Sequence, residues 1–405
     1  MTSGMDPVET HLAEVLATIR PLRPARLALE AAEGGVLAEP ATAAGSLPPF
    51  DNSSMDGYAV HASDVAAATA DAPVTLPVTD QIPAGDSRIV SVAPGTCVRI
   101  MTGALLPGGA DAVVPVEWTS GGTAQVQFYQ PVTKDYAIRR RGDDVAAGSE
   151  VLPAGTRLGP AQIALLAGSG HASALVRAAP RVAVIGTGTE LSEPGSPLPR
   201  GRIWDSNSYM LAAAVRQAGG VAARHRINDE PGMVLATIEE QSAAADLLIT
   251  SGGVSMGGEH DVVKAALSRH AAMTFRKVAM QPGMPQGIGV VGARRTPILT
   301  LPGNPVSTYI SFCLFGLPAL DALLGLPPRR LPRVRAALTA PVRSPEGKRS
   351  YLRGALDPEA GTVTPLTGQG SHQLGAMAVA NVLIVVPEPV VSMEAGEAAD
   401  VMSLP

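Results

Sequence analysis

Between residues 181 and 325, short apolar strands alternate with amphipathic helices, and this alternation constrains the fold more than any other feature of the chain. RVAVIG reads as a buried strand, residues 207–218 as a helix and VAARHRI as a strand. Residues 231–244 form a helix opened by Pro231, a favoured first helical position, and ADLLIT is again a strand. A helix over 261–269, a strand over 274–280, the strands GIGVV and PILTLP, and a long helix over 305–324 complete the run. The pattern predicts a parallel α/β sheet with helices on both faces.

The flanks are different. Residues 8–19 predict a helix, with Val8, Leu12, Val15, Leu16 and Ile19 on one face, and a second helical stretch covers 27–37. From about 59 to 145, short Val/Ile/Thr-rich runs (73–78, 96–101, 112–117 and 124–129) alternate with Gly/Pro/Asp turns, the pattern of a small β-barrel or sandwich. A short helix is expected over 160–167. A Pro/Arg-rich linker covers 326–333, and from Val334 the chain reads as a small all-β domain without helical period. At 405 residues the chain is too long for one core, so the fold class is multidomain α/β plus all-β. Only 3% of residues are aromatic, so Val, Leu, Ile and Ala must fill the cores.

Several classes are disfavoured. The net charge is −5, and the only basic runs are the short ones at 139–141 and 329–333, so a nucleic-acid partner is not expected. No membrane span is expected, because no run of about 18 apolar residues occurs. The N-terminus lacks a basic-then-apolar leader. Two distant cysteines, Cys97 and Cys313, make no disulfide framework and suit a reduced, cytoplasmic protein.

In open α/β sheets, ligands bind at the carboxyl ends of the strands, and here each such end carries polar or glycine-rich sequence. GTGTEL (186–191) offers Gly186 and Gly188 and a carboxylate, Glu190, suited to a divalent metal; alone it also reads as a plain strand-to-loop turn. The second strand ends at Asn228 and Asp229. SGGVSMGGEHD (251–261) surrounds Ser251 and Ser255 with Gly252 and Gly253 and ends in Asp261, which reads as a phosphate cradle. Asp261 also reads as a helix cap. LPGNPVS (301–307) reads as a helix start, with Asn304 as cap and Pro305 first; the N–H groups of Val306, Ser307 and Thr308 would face an anion, or simply open an ordinary helix. Arg276 and Lys277 lie on a strand leading toward the same rim.

PPFDNSSMDGYAV (48–60), RIMTGA (99–104), IRRRGDD (138–144), PAGTRL (153–158), GTGTEL, SGGVSMG and LPGNPVS follow one another in the order seen in the MoeA family of molybdopterin molybdenumtransferases, and the chain resembles that family over at least residues 48–307. YLRG and QGSH extend the likeness into the tail. The resemblance implies four domains. An elongated domain is built from 1–43 and 145–180, a β-rich insertion covers 44–144, an α/β domain of the molybdopterin adenylyltransferase type covers 181–327, and a C-terminal β-domain covers 328–405. It implies an enzyme that uses Mg²⁺, adenylyl-molybdopterin and molybdate, and releases molybdenum cofactor and AMP. It also implies a homodimer with a shared active site, and a molybdopterin adenylyltransferase as a further partner. By the same resemblance Asp56, Thr102, Glu190, Asp229, Asp261 and Lys277 are catalytic, with Glu190, Asp229 and Asp261 serving the metal. Asp144, Gly186, Gly188, Ser251, Gly252, Gly253, Ser255, Pro302, Gly303, Asn304, Pro305, Arg353 and Ser371 contact substrate, the last Arg and Ser near molybdate. Thr189, Gln281 and Met284 stand where many relatives carry an acid or lysines. Two other functions fit the same motifs: adenylylation of molybdopterin itself, and a pterin-binding scaffold with weakened chemistry. Read without the resemblance, MDGYA is also a tight turn and IRRRGDD a solvated surface run.

Overall fold

A computed structural model describes residues 4–228, 230–253, 262–270 and 272–405. By internal contacts the chain divides into two units, Met1–Ala25 with Gly34–Val36 and Val176–Pro405, and Arg26–Glu33 with Leu37–Leu175.

The first unit opens with helix α1 (Val8–Thr18), which buries Val8, His11 and Val15. The His11 ring meets Phe315 edge-on at 4.7 Å, and burial pushes its pKa down to about 4. The exposed side of the helix is charged: Glu14 pairs with Arg276 at 3.1 Å, and Glu9 pairs with Arg349.

The second unit holds a five-stranded sheet of β1 (Gly57–Val60), β2 (Val74–Ile82), β3 (Cys97–Ile100), β4 (Ala112–Pro115) and β5 (Gln125–Phe128), in the order β4-β1-β3-β2-β5. Both faces are covered. Tyr58, Val60, Val114 and Phe128 pack on one side, and Ala59, Val98, Ile100 and Val113 on the other. The helix expected over 27–37 is absent. Instead a strand at Ala25–Ala28, one helical turn at Leu29–Ala32 and a strand at Val36–Leu37 follow one another. Gly34, at φ +74°, stops the turn before a helix can grow. The helix expected near 160 is α2 (Pro160–Gly168).

The α/β part of the first unit runs β6 (Arg181–Thr187), α3 (Asn207–Gln217), β7 (Val221–Ile227), α4 (Pro231–Ala244), β8 (Leu247–Ser251), α5 (Val262–His270), β9 (Ala272–Lys277), β10 (Pro285–Val291) and β11 (Thr296–Leu301). The sheet order is β7-β6-β8-β11-β10-β9. The first four are parallel, but β10 runs antiparallel to both of its neighbours, so the sheet is mixed rather than parallel. The four residues between β10 and β11 leave no room for a crossover helix, and Gly292 and Arg295, both at positive φ, make a tight turn instead. The strand order reverses between β6, β7 and β8, which opens a crevice at their carboxyl ends.

The long helix expected over 305–324 is present but interrupted. α6 (Pro305–Ser311) passes through a wide π turn at Phe312–Gly316 into α7 (Leu317–Leu323). Pro318, which has no N–H to donate, sits just beyond the turn. Residues Pro305–Leu323 are long and apolar enough to cross a membrane, but 83% of that window is buried inside the protein, as in a core helix.

The tail is all-β apart from one short helix that its sequence pattern does not reveal. Strands β12 (Arg333–Leu338), β13 (Arg349–Asp357), β14 (Thr362–Pro365), β15 (Val382–Val386) and β16 (Ala398–Ser403) are joined by hairpins and by α8 (Leu374–Val379). They pair in the order β13-β14-β12-β16-β15, and β15 pairs back onto β13. The closed barrel leaves no long free edge and surrounds Leu338, Val363, Ile384 and Val401.

Candidate active site

The carboxyl ends of β6, β8 and β11 border a cleft of about 610 Å³. Its walls include Gly188 and Glu190 after β6, Gly252 and Gly253 after β8, and Pro302, Gly303 and Asn304 after β11. Lys348 and Ser371 close it from the barrel side, and Gln281 and Met284 line it beside them. A second lobe of about 340 Å³ shares Thr187, Glu190, Ile203, Gly252, Gly303 and Asn304 and adds Gly186, Trp204, Asp205, Asn207, Ser251, Pro305 and His372.

Two glycines are required by geometry. Gly252 has φ +98°, and a Cβ there would sit 2.9 Å from the Thr187 carbonyl oxygen. Gly188 has φ +153°, which strains any side chain, and the mobile end of Glu190, folded over it within 2.5 Å of where a Cβ would stand, would have to swing aside. Bare backbone at these positions leaves room for an anionic ligand.

Asn207 binds the strand ends together. Its Nδ2 donates to Ser251 Oγ at 2.8 Å and to the Gly303 carbonyl at 2.6 Å. Beside it Asp205 is buried, accepting from the Ser208 amide at 3.0 Å and from the Ser208 hydroxyl at 2.5 Å. In the sequence Asn207 reads only as the first residue of a helix, and Asp205 and Ser206 belong to no motif. The Asx-rich composition of the three was the available signal. Lys348 was missed too, because one lysine in the turn EGKRS gives no motif. Among the described residues it is the one lysine or arginine that lines the cleft.

The expected anion cradle at the start of α6 is largely used up. The Val306 amide donates to the Ser371 carbonyl at 3.0 Å, and the Thr308 amide donates to the Asn304 carbonyl at 2.9 Å. Asn304 occupies the cap position without a side-chain capping bond; Thr308 Oγ1 instead reaches the Pro302 carbonyl at 2.6 Å. These bonds hold Pro302 and Ser371 at the cleft wall.

Lys277 does not line the cleft. It ends β9, exposed, in register with Pro285, which does. Arg353 does not line it either. It is fully buried, donates through Nη2 to the Gly368 and Gly370 carbonyls, and leaves Nε and Nη1 without partners. Burial pulls its pKa down. Arg353 thus holds the loop that carries Ser371.

In the second unit, antiparallel pairing of Gly57 with Ile100 brings Asp56, just before β1, beside Thr102, just after β3. Asp56 Oδ1 accepts from both the backbone N–H and the hydroxyl of Thr102, each at 2.7 Å. The amide bond first, then the hydroxyl, holds this exposed carboxyl below the usual carboxylate range. Asp144 is exposed in the same unit. Asp229, Ser255 and Asp261 lie outside the described residues. Among the described residues no three His, Cys, Asp or Glu side chains gather around a metal site; Glu190 is the carboxylate lining the larger lobe, and the smaller lobe adds the buried Asp205. A single carboxylate fits a hydrated divalent cation that arrives with phosphate, since Mg²⁺ commonly takes one or two carboxylates plus phosphate and water.

Residues 6–170 match the MoeA N-terminal region (domain I and II), 183–322 the probable molybdopterin binding domain, and 335–404 the MoeA C-terminal region (domain IV). The chain is 47% identical over 407 residues to molybdopterin molybdenumtransferase 2 of Mycobacterium tuberculosis, covering 99% of this chain and 100% of that protein. The chain belongs to the MoeA family. A further MoeA-family relative, the molybdopterin molybdenumtransferase of Nostoc, is 36% identical over 383 residues, covering 93% of this chain and 88% of its own length. The solved MoeA protein of Pyrococcus horikosii superposes with a TM-score of 0.78 at 30% identity, over 98% of this chain and 99% of that one. Gln281 and Met284, both uncharged, line the cleft.

Proposed function

We propose that this protein inserts molybdenum from molybdate into adenylylated molybdopterin, releasing molybdenum cofactor and AMP. The observation that carries the reading is one cleft bordered by bare glycine backbone, by the Glu190 carboxylate and by Lys348 with Ser371. Both substrates are anions, so their approach must be offset by cations and amide dipoles. The backbone around Gly188, Gly252 and Gly303 takes the phosphoanhydride, and Lys348 with Ser371 draws the oxyanion from the barrel side. Glu190 would hold Mg²⁺, which when bound supplies charge neutralisation at the phosphates. Asp229 and Asp261 remain proposed ligands beside it. Asp56, fixed as a carboxylate by Thr102, together with Asp144, is proposed to reach the cleft of a second copy in a homodimer. The four-domain division, cytoplasmic location and cooperation with a molybdopterin adenylyltransferase belong to the same proposal.

A second reading has an observation of its own. With Gln281 and Met284 neutral, the cleft lining carries a single described cation, which would suit a pterin-binding scaffold of weak activity. One assay separates the readings. Pure protein with adenylylated molybdopterin, molybdate and Mg²⁺ should release AMP, and Glu190→Ala should not. AMP release that matches the Glu190→Ala background, with pterin still bound, would favour the scaffold. Adenylylation of molybdopterin from ATP without molybdate would favour an adenylyltransferase. Replacing Lys348 with Met should raise the molybdate concentration for half-maximal release on the order of tenfold, as for the loss of one charge-assisted contact.

A further inference from the structure

A separate cavity of about 410 Å³ lies at the amino ends of β8 and β11, at the opposite end of the sheet from the cleft. Asp246, just before β8, and Thr296, the first residue of β11, both line it. The six residues of β11 set it roughly 17 Å from the catalytic rim at Pro302. Its volume suits a small molecule.

The charged lining is three arginines, Arg20, Arg294 and Arg295, and one carboxylate, Asp246. That carboxylate is already engaged from outside the cavity. Arg181 donates to it through its backbone N–H at 2.9 Å and through Nη2 at 3.1 Å. Arg294 stands 3.8 Å from it and donates through Nη1 to the Ala243 carbonyl at 2.6 Å, closing the end of α4. Among the described residues neither Arg20 nor Arg295 has an ion-pair or side-chain hydrogen-bond partner. Backbone carbonyls that would repel an anion are occupied. Thr18 Oγ1 donates to the Val15 carbonyl at the end of α1, and Thr296 Oγ1 to the Ser242 carbonyl, each at 2.7 Å.

Arg295 has φ +52°, in the left-handed region that side chains rarely adopt. The turn before β11 needs that conformation, but asparagine would take it with less strain. Non-glycine residues held there collect at ligand clamps. Beside the arginines, Leu22, Val290 and Pro297 supply an apolar wall, and the Leu22 amide is fixed to the Leu323 carbonyl at 2.7 Å.

We propose that this cavity binds a phosphate monoester, with Arg20 and Arg295 on the phosphate and the carbon body against the apolar wall. Two guanidinium forks match the charge and the oxygens of one phosphate dianion. Inorganic phosphate alone would leave the apolar wall unused. The assignment is independent of the insertase reading.

Calorimetric titration of the full-length protein with phenyl phosphate tests it. Phenyl phosphate should bind at least about tenfold tighter than inorganic phosphate, because only the ester covers the apolar wall. Arg20→Gln and Arg295→Asn should each weaken phenyl phosphate about tenfold, the loss of one charge-assisted contact. Lys348→Met, which alters the catalytic cleft, should leave this binding unchanged. Arg295→Asn relieves the backbone strain, so it should melt no lower than wild type while binding less. Equal affinity in wild type and both arginine variants, loss of binding in Lys348→Met instead, or no preference over inorganic phosphate overturns the assignment. So does an Arg295→Asn protein that melts lower but binds as wild type, since the arginine then serves the turn alone.

Discussion

Gly252→Ala tests the backbone argument at the centre of the cleft. The residue sits at φ +98°, where a Cβ strains the backbone by roughly 1–2 kcal/mol. The new Cβ would also stand 2.9 Å from the Thr187 carbonyl oxygen, itself anchored in a central strand, and such overpacking adds roughly 1–3 kcal/mol. Together the change should destabilise the α/β fold by about 2–5 kcal/mol. Gly195→Ala is the control: its φ is +85° and nothing lies within 4 Å of a new Cβ, so only the backbone strain applies. At roughly 2–4 °C per kcal/mol for a domain of this class, Gly252→Ala should melt on the order of 5 °C below Gly195→Ala in scanning fluorimetry. It should also lose AMP release, because the Thr187 and Gly252 backbones are pushed apart where the phosphates are proposed to sit. If the two variants melt together within about 1 °C, the close approach has no energetic weight and the argument fails.

Four more outcomes follow from the geometry. Thr102→Val removes one of the two bonds to Asp56, so its carboxyl should titrate at higher pH in an NMR titration, still below the ordinary value because the amide bond remains. Since the folded pKa is depressed, the small stabilisation from this exposed group is present above the unfolded pKa and is lost as pH falls through the folded one. Arg353→Met should change stability by less than about 2 kcal/mol, because lost charge-assisted bonds are offset by relief of a buried charge, while the Ser371 loop loses protection in hydrogen exchange. Asp321→Leu removes the buried carboxylate that holds the Arg329 guanidinium at 2.7 Å, and because the Arg329 side chain is 34% exposed and stays hydrated, chemical denaturation should show a loss of only about 2 kcal/mol. Cys97 and Cys313 are buried with their pKa values pushed up to about 12, so Ellman's reagent should label neither thiol until the protein unfolds.

The α/β core was legible because its strands are continuous apolar runs and two of its helices open on proline, at 231 and 305. Its sheet direction at β10 was not, since hydrophobic pattern is blind to strand polarity; the clue was the short connection ARRT. The one-turn helix at Leu29–Ala32 was overpredicted because Leu and Ala carry high helix propensity while Gly34 ends the run. At the site, glycine-rich strand ends pointed to the right rim. What stayed hidden depended on tertiary placement. Arg353 reads as an anion ligand until its burial is seen, and Lys348 becomes a cleft residue only when Arg349 and Ser350 pair with Met280 and Gln281.

The most direct test of the central claim is AMP release from adenylylated molybdopterin with and without molybdate. Release should require both molybdate and Mg²⁺, be accompanied by molybdenum-loaded cofactor, and be abolished by Glu190→Ala. Equal release from wild type and Glu190→Ala, or release without molybdenum entering the cofactor, would contradict it.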